Sequence, residues 1–176
     1  SAALNKIYNQ KGRVPKMDTA VIFYEAHRTS ICQELLGHSG ITFTAIRTAT
    51  NLKRLHAALA ELLSESPVIL IVGPAEGGQP ECTLEICRIL GVPTKGGRPD
   101  GVLRLSGQKS TKGYLIESLS QAIALLPDDP DSLGAMLPDL NRRLRDKFSL
   151  PAPRPELHLD YQNLVTNSMD QKEESR

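Results

Sequence analysis

One loop of the sequence combines the residue types that suit the binding of a small anion. It reads GPAEGGQP from Gly73 to Pro80 and joins an apolar segment to a predicted helix that begins at Glu81. Glycine lets the backbone approach a ligand closely, and a helix N-terminus favours negative charge. We therefore predict that Gly73, Gly77 and Gly78 contact a phosphate-bearing ligand. The loop fits neither GxxxxGK[ST] nor GxGxxG, and its composition also suits a turn without a ligand.

Carboxylates in and around this loop suggest a metal ion. Glu76 and Glu81 belong to the loop region, and Asp128 follows a second apolar segment. Carboxylates repel a phosphate unless a divalent cation lies between them, and Mg²⁺ is commonly held by a few carboxylates together with phosphate oxygens. Glu81 and Asp128 are the predicted metal ligands. The alternative interpretation is that these acidic residues cap helices.

Basic residues in a glycine-rich stretch could reach the same anion. They are Lys95, Arg98, Arg104, Lys109 and Lys112. Solvated charges on a loop are the alternative explanation for this stretch.

Composition excludes several other classes of protein. Lys and Arg total 21 against 20 for Asp and Glu, which argues against a nucleic acid or an anionic membrane as partner. No apolar run approaches the roughly 20 residues of a membrane span. Cys32, Cys82 and Cys87 form neither a disulfide framework nor a CxxC pair, so we expect reduced thiols and a cytoplasmic protein. The histidines are scattered and there is no tryptophan, which argues against a histidine metal site and a base-stacking surface.

The first half of the chain alternates between strand and helix patterns. Apolar runs predict strands over 19–24, 41–47 and 68–72. Helical spacing predicts helices over 26–38, 52 to about 64 and 81–90, the second opened by Asn51 and the third closed by Gly91. Short connections of this kind force parallel strands with right-handed crossovers.

The second half has a different pattern. Residues 92–112 predict a loop with one short strand at 102–105. The segments 114–117 and 121–126 are close enough to form a β-hairpin. The run from Pro127 to Asp131 is typical of a helix start, and an apolar helical stripe then continues to Phe148.

Together these elements predict an α/β fold of three layers, with a mostly parallel sheet flanked by helices and a β-hairpin in the second half. We expect one domain over 18–150, an N-terminal extension over 1–17 and a polar, proline-containing tail over 151–176. In such sheets ligands bind beyond the carboxyl ends of the strands. The loops expected at that edge are 24–27, 73–81 and 127–131.

Several short segments between residue 18 and about residue 148 occur in a distinctive order. First comes an apolar strand, followed by a glycine-rich loop, an acidic residue and a helix that ends in LG plus proline. Then come a PxG segment and a G-aromatic-hydrophobic-E segment. The order ends with an apolar strand that finishes in LP and with a helix that contains ML. They are Val68–Gly73, Gly77-Gly78, Glu81, Ile89–Pro93, Pro99–Gly101, Gly113–Glu117, Ile123–Pro127 and Ala135–Leu137.

This order resembles the molybdopterin-binding domain shared by molybdenum-cofactor biosynthesis proteins and the competence/damage-inducible protein family. The resemblance implies a domain that binds a pterin, such as molybdopterin, or a nucleotide phosphate at the carboxyl ends of the strands. It allows Mg²⁺ at the site and a homo-oligomer. The implied ligand-binding residues are Glu25, Gly73, Glu76, Gly77, Gly78, Glu81 and Asp128, with Glu81 and Asp128 also as metal ligands.

The sequence differs from the family pattern at several of these positions. Only Glu25 corresponds to the family's GDE, Gly73-Pro74 replaces a glycine pair, Glu81 replaces an aspartate, and Asp128 replaces the glycine of LPG. These differences motivate a second hypothesis, a diverged, non-catalytic assembly or regulatory module that contacts a protein partner. A third hypothesis is a metal-dependent nucleotide pyrophosphatase in which Glu81 or Asp128 activates water. The sequence leaves open whether the protein is an enzyme.

Overall fold

The computed structural model describes residues 18–148. The predicted extension 1–17 and tail 151–176 lie outside the described residues. The helices are α1 (Thr29–His38), α2 (Leu52–Leu63), α3 (Thr83–Leu90) and α4 (Pro130–Lys147). The strands are β1 (Thr19–Tyr24), β2 (Phe43–Ala49), β3 (Val68–Gly73), β4 (Thr94–Lys95), β5 (Arg98–Pro99), β6 (Leu103–Ser106), β7 (Lys112–Glu117) and β8 (Ala122–Pro127).

Six of these strands form one mixed sheet in the order β2-β1-β3-β8-β7-β6. The first four strands of that order are parallel, and β7 and β6 are added in antiparallel fashion. The predicted α/β architecture with a mostly parallel sheet and a hairpin in the second half is therefore confirmed. The carboxyl ends of β1, β3 and β8 lie side by side, because Val72 of β3 pairs with both Phe23 and Leu126.

Helices cover both faces of the sheet, which explains why its central strands are apolar without alternation. On one face, Leu36 of α1 and Leu140 of α4 join a core with the sheet residues Val21, Leu70 and Leu126. On the other face, α2 and α3 pack through side chains that include Leu55, Leu59 and Ile86. Residues of β1, β3 and β8 contribute alternately to the two cores, as the period of two along a strand requires.

Three local predictions differ from the structure. Helix α1 begins at Thr29 rather than at residue 26, because the chain first makes a turn whose amides bind Asp128. Helix α3 begins at Thr83 rather than Glu81, because the Thr83 amide closes a turn on the Pro80 carbonyl at 3.0 Å. The stretch 92–102 was expected to be loop but contains the two-residue strands β4 and β5, paired antiparallel around Gly96 and Gly97.

None of the helices between residues 18 and 148 has both the length and the apolar character needed to cross a membrane.

Candidate functional site

The loops that follow β1, β3 and β8 meet at one edge of the sheet, as predicted. The Asp128 amide donates to the Gly73 carbonyl at 2.7 Å, and the Glu25 amide donates to the Ala49 carbonyl at the end of β2 at 2.9 Å. These bonds hold three of the predicted ligand-binding residues, Glu25, Gly73 and Asp128, at neighbouring strand ends. The remaining ones, Glu76, Gly77, Gly78 and Glu81, lie on the loop that leaves Gly73.

Gly73 has a packing role that the sequence did not reveal. A Cβ atom at this position would lie 2.9 Å from the Tyr24 carbonyl oxygen of β1, closer than a van der Waals contact allows. Gly73 therefore lets β1 and β3 run side by side up to their last residues. Its predicted contact with a ligand stays a prediction.

Gly77 and Gly78 form the open part of the loop. Their φ angles are +69° and +88°, in the left-handed region that favours glycine. A Cβ atom at Gly77 would have no neighbour within 4 Å, and one at Gly78 would have the Ser110 carbonyl oxygen at 3.7 Å. The Gly78 carbonyl accepts a hydrogen bond from the Lys112 amide at 2.8 Å. The glycine pair is thus held against the β6–β7 turn while its backbone remains accessible.

The carboxylates of this loop face solvent. The Glu81 amide donates to the Pro74 carbonyl at 2.8 Å and closes the loop on itself. Glu76 and Glu81 are exposed, and within residues 18–148 their side chains make neither a hydrogen bond nor an ion pair. Glu25 is also exposed and has a left-handed backbone with φ of 46°. Burial of Tyr24, followed by the negative charge of Glu25, raises the pKa of that tyrosine.

Asp128 caps helix α1 from a distance of about a hundred residues in the sequence. Its carboxylate accepts hydrogen bonds from the His27 amide at 2.6 Å and from the Arg28 amide at 3.2 Å. The Cys32 thiol donates to the same carboxylate at 3.4 Å. Burial, helped by this hydrogen bond, raises the pKa of Cys32 to about 12, so the thiol stays protonated. Asp128 therefore places an internal anion at the N-terminus of α1.

Asp129, the next residue, caps helix α4. Its carboxylate accepts from the Ser132 amide at 3.2 Å, and hydrogen bonding with Ser132 lowers the pKa of Asp129. The Arg28 guanidinium lies 3.5 Å from the same carboxylate. Two consecutive aspartates thus stabilise two different helices, which agrees with the capping interpretation of the acidic run.

A third helix start is different. The N-cap position of α3 is Cys82, which makes no side-chain hydrogen bond to the first turn, whereas Asn51 caps α2 by accepting from the Arg54 amide at 2.9 Å. Of the helices within residues 18–148, α3 is therefore the one without a side-chain cap from its own N-cap residue or from Asp128.

The predicted metal ligands do not form a metal site on their own. Within residues 18–148 no group of three or more His, Cys, Asp or Glu side chains is arranged to hold an ion. The oxygens of Asp128 already accept hydrogen bonds from backbone amides. A metal role for Glu81 and Asp128 stays a prediction that depends on oxygens supplied by a ligand.

A polar chain next to the glycine pair was missed from the sequence. The Tyr114 hydroxyl donates to Gln79 Oε1 at 2.7 Å, and Gln79 Nε2 donates to the Gly97 carbonyl at 3.0 Å. Gln79 thereby connects the loop to β7 and to the turn between β4 and β5. The signal in the sequence was weak, because a lone glutamine in a Gly/Pro loop has no characteristic spacing to its partners.

Comparison with known proteins supports the class of fold. No protein-family model matches the chain, and no curated protein matches its sequence. Among solved structures, the fold is similar to that of CinA from Thermoplasma acidophilum, a protein described as having unknown function, with a TM-score of 0.57 and 11% sequence identity. The match covers 73% of this chain and 98% of that one. The similarity to CinA supports the mixed α/β fold of this chain, with a mostly parallel sheet flanked by helices.

Proposed function

We propose that this domain binds a small phosphorylated ligand, a pterin or a nucleotide, at the carboxyl edge of its parallel strands, with the phosphate against Gly77 and Gly78. The observation that carries the proposal is the open, left-handed backbone of this pair beside a helix without a side-chain cap. Accessible backbone amides attract anions, and the N-terminus of α3 adds the positive end of a helix dipole.

The turn that contacts the glycine pair carries two lysines, which compensate the carboxylates of the loop. Lys109 and Ser110 in the β6–β7 turn have left-handed backbones, with φ of 51° and 63°, and lie on the exposed side of the loop that contacts Gly78. The Lys112 ammonium donates to the Ser106 hydroxyl at 3.1 Å on the same turn. Lys109 and Lys112 carry as many positive charges as Glu76 and Glu81 carry negative ones, so the two lysines offset the repulsion that these carboxylates exert on an anion.

The test is ligand-induced thermal stabilisation of wild-type protein and of Gly77→Val. A panel of molybdopterin precursors, nucleotides and ADP-ribose, each with and without Mg²⁺, should contain a ligand that raises the Tm of the wild type by mass action. Gly77→Val should abolish that shift, because the new side chain fills the open space above the loop.

The control variant is Gly101→Val. Gly101 has a similar φ of +73° and equally open surroundings but lies away from this edge. Both variants strain the backbone to a similar degree, so Gly101→Val should lose a similar amount of stability and keep the ligand-induced shift. A Gly77→Val protein that still binds would contradict the proposal.

Magnesium dependence tests the predicted roles of Glu81 and Asp128. If an ion joins the ligand phosphate to these carboxylates, EDTA should reduce the ligand-induced shift and Glu81→Gln should make binding independent of Mg²⁺. If the ligand raises the Tm by the same amount with EDTA and with Mg²⁺, the predicted metal roles of Glu81 and Asp128 are wrong. The proposed contacts of the ligand with Gly77 and Gly78 are not affected by that result.

The second candidate function is a diverged assembly module, and Asp128 is the observation that favours it. Its carboxylate already occupies the α1 N-terminus, where the resembled family has a glycine. If this function is correct, the ligand panel should be silent and removal of residues 151–176 should change the oligomeric state measured by light scattering without changing the Tm. A monomer before and after the deletion would argue against it.

A further inference from the structure

The hairpin formed by β4 and β5 places like charges opposite each other. Lys95 and Arg98 are paired residues across this antiparallel ladder, so their side chains emerge on the same face. Their connection is the two-residue turn Gly96-Gly97, with φ of +61° and +75°. Like charges directly opposite each other in a ladder destabilise it, so Lys95 and Arg98 lower the stability of the hairpin. The glycine turn does not require a positive charge at either position.

A third cation, Arg104, lies on the same side of the molecule. Arg104 pairs with Tyr114 across β6 and β7, which places the two side chains on one face of the sheet. Tyr114 is bonded to Gln79, and Gln79 is bonded to the Gly97 carbonyl next to Arg98. Burial raises the pKa of Tyr114, and the positive charges of Arg98 and Arg104 partly offset that rise.

Within the part of the chain that the structure describes, these cations have no acidic partner. Lys95, Arg98 and Arg104 are exposed, and none of them forms an ion pair with another residue of the range 18–148. Asp100 follows the hairpin directly, is exposed and makes no ion pair with any of them. Several other arginines do form ion pairs within residues 18–148, for example Arg143 with Glu117 at 3.0 Å.

We infer that Lys95, Arg98 and Arg104 form a second anion-binding subsite, adjacent to Gly77-Gly78 and linked to it by Gln79. The inference rests on the proposed function and deepens it. A ligand that uses both subsites carries two or more anionic groups, one held by backbone amides and the other by guanidinium and ammonium groups. Charge-assisted hydrogen bonds to guanidinium are among the stronger polar contacts in proteins, so the second group adds affinity.

The experiment compares inorganic phosphate with inorganic tripolyphosphate, both titrated into the full chain and followed by amide chemical shifts. Wild-type protein should bind tripolyphosphate about tenfold or more tightly than phosphate, since one charge-assisted contact is enough for such a factor. Phosphate should shift the amides of Gly77 and Gly78, and tripolyphosphate should also shift those of Gly96 and Gly97.

Two variants decide whether the cations are responsible. Arg98→Glu places opposite charges across the hairpin, so it should keep or raise the Tm while removing the tripolyphosphate preference. Arg104→Gln should weaken tripolyphosphate binding and leave phosphate binding unchanged. Arg54, in the first turn of α2, is exposed and forms no ion pair within residues 18–148. Arg54→Gln therefore controls for the charge change of Arg104→Gln, and Arg54→Glu controls for that of Arg98→Glu; both should bind as wild type does.

The outcomes separate this inference from the proposed function. If Arg98→Glu and Arg104→Gln bind tripolyphosphate as wild type does, the second subsite is wrong, whatever Gly77→Val shows. If tripolyphosphate binding depends on Arg98 but phosphate does not shift Gly77 and Gly78, the subsite stands and the proposed phosphate site fails. If wild-type protein binds neither anion, both are overturned.

Discussion

The two halves of the carboxyl edge of this sheet differ at the start of their helices: one helix start is bound by a side-chain carboxylate and the other has no side-chain cap. At the β1 end, the carboxylate of Asp128 binds the amides of His27 and Arg28 and closes the start of α1. At the β3 end, Gly77 and Gly78 leave the backbone open, and Cys82 gives α3 no side-chain cap. We call these the closed half and the open half.

The difference shows that one helix start at this edge is bound by a carboxylate of the chain itself, whereas the other has no side-chain cap from its N-cap residue. A helix N-terminus favours negative charge from either source. In the closed half the charge is covalently part of the chain, so a ligand phosphate would have to displace Asp128. In the open half, within residues 18–148, Cys82 makes no side-chain hydrogen bond to the first turn of α3, and the nearest acidic residue of the helix, Glu85, is paired with Arg88 and His56. A single ligand-binding site is therefore expected in the open half and not across the whole edge.

The largest expected effect distinguishes two glycines of the same loop. Gly73→Ala should destabilise the protein by about 1–3 kcal/mol, the usual range for overpacking, because the new Cβ atom meets the Tyr24 carbonyl oxygen at 2.9 Å. Gly77→Ala should cost less, about 1 kcal/mol, which reflects only its left-handed backbone. Urea unfolding of both variants measures the difference. If both variants lose the same free energy of unfolding, Gly77 is packed as tightly as Gly73 and the open half is not open.

The next effect concerns the closed half. Asp128→Ala should lower the free energy of unfolding by about 1–2 kcal/mol, since it removes a helix cap, and the control Asp131→Ala should cost less because that side chain makes no hydrogen bond within the described residues. Added phosphate should restore part of the Tm of Asp128→Ala by binding the vacated amides of His27 and Arg28. If phosphate does not raise the Tm of Asp128→Ala, the amides of His27 and Arg28 do not bind an anion from solution when Asp128 is removed, and this prediction is wrong.

The smallest effect concerns the support of the open half. Hydrogen bonds from Arg88 and His56 lower the pKa of Glu85 in α3 to about 2, and His56 Nε2 lies 2.8 Å from its carboxylate. The folded-state pKa is below the ordinary value, so the stabilisation is present above about pH 4.5 and is lost as the pH falls towards 2. The stability difference between wild type and Glu85→Gln should shrink over that range. A constant difference in acid unfolding curves would contradict this assignment.

Much of the fold follows from local sequence patterns. The apolar runs at 19–24 and 68–72, the cap Asn51 and the closing Gly91 predict elements that the structure confirms, because burial on two faces and helix termini impose strong constraints on nearby residues. The β4–β5 hairpin was missed, since two-residue strands are too short for any periodicity to show. For the candidate site, the sequence identified the residues that gather at the edge but not what each of them contacts.

The sequence by itself determined the order of strands and helices along the chain, because hydrophobic periodicity distinguishes the two. Short right-handed connections then require that the loops after β1, β3 and β8 share one edge of the sheet. What only the tertiary structure decided is the role of each residue there. Asp128 caps a helix about a hundred residues away, Gly73 makes room for a neighbouring strand, and Gln79 joins three segments. Such contacts depend on which distant backbone groups meet, and no spacing along the chain encodes them.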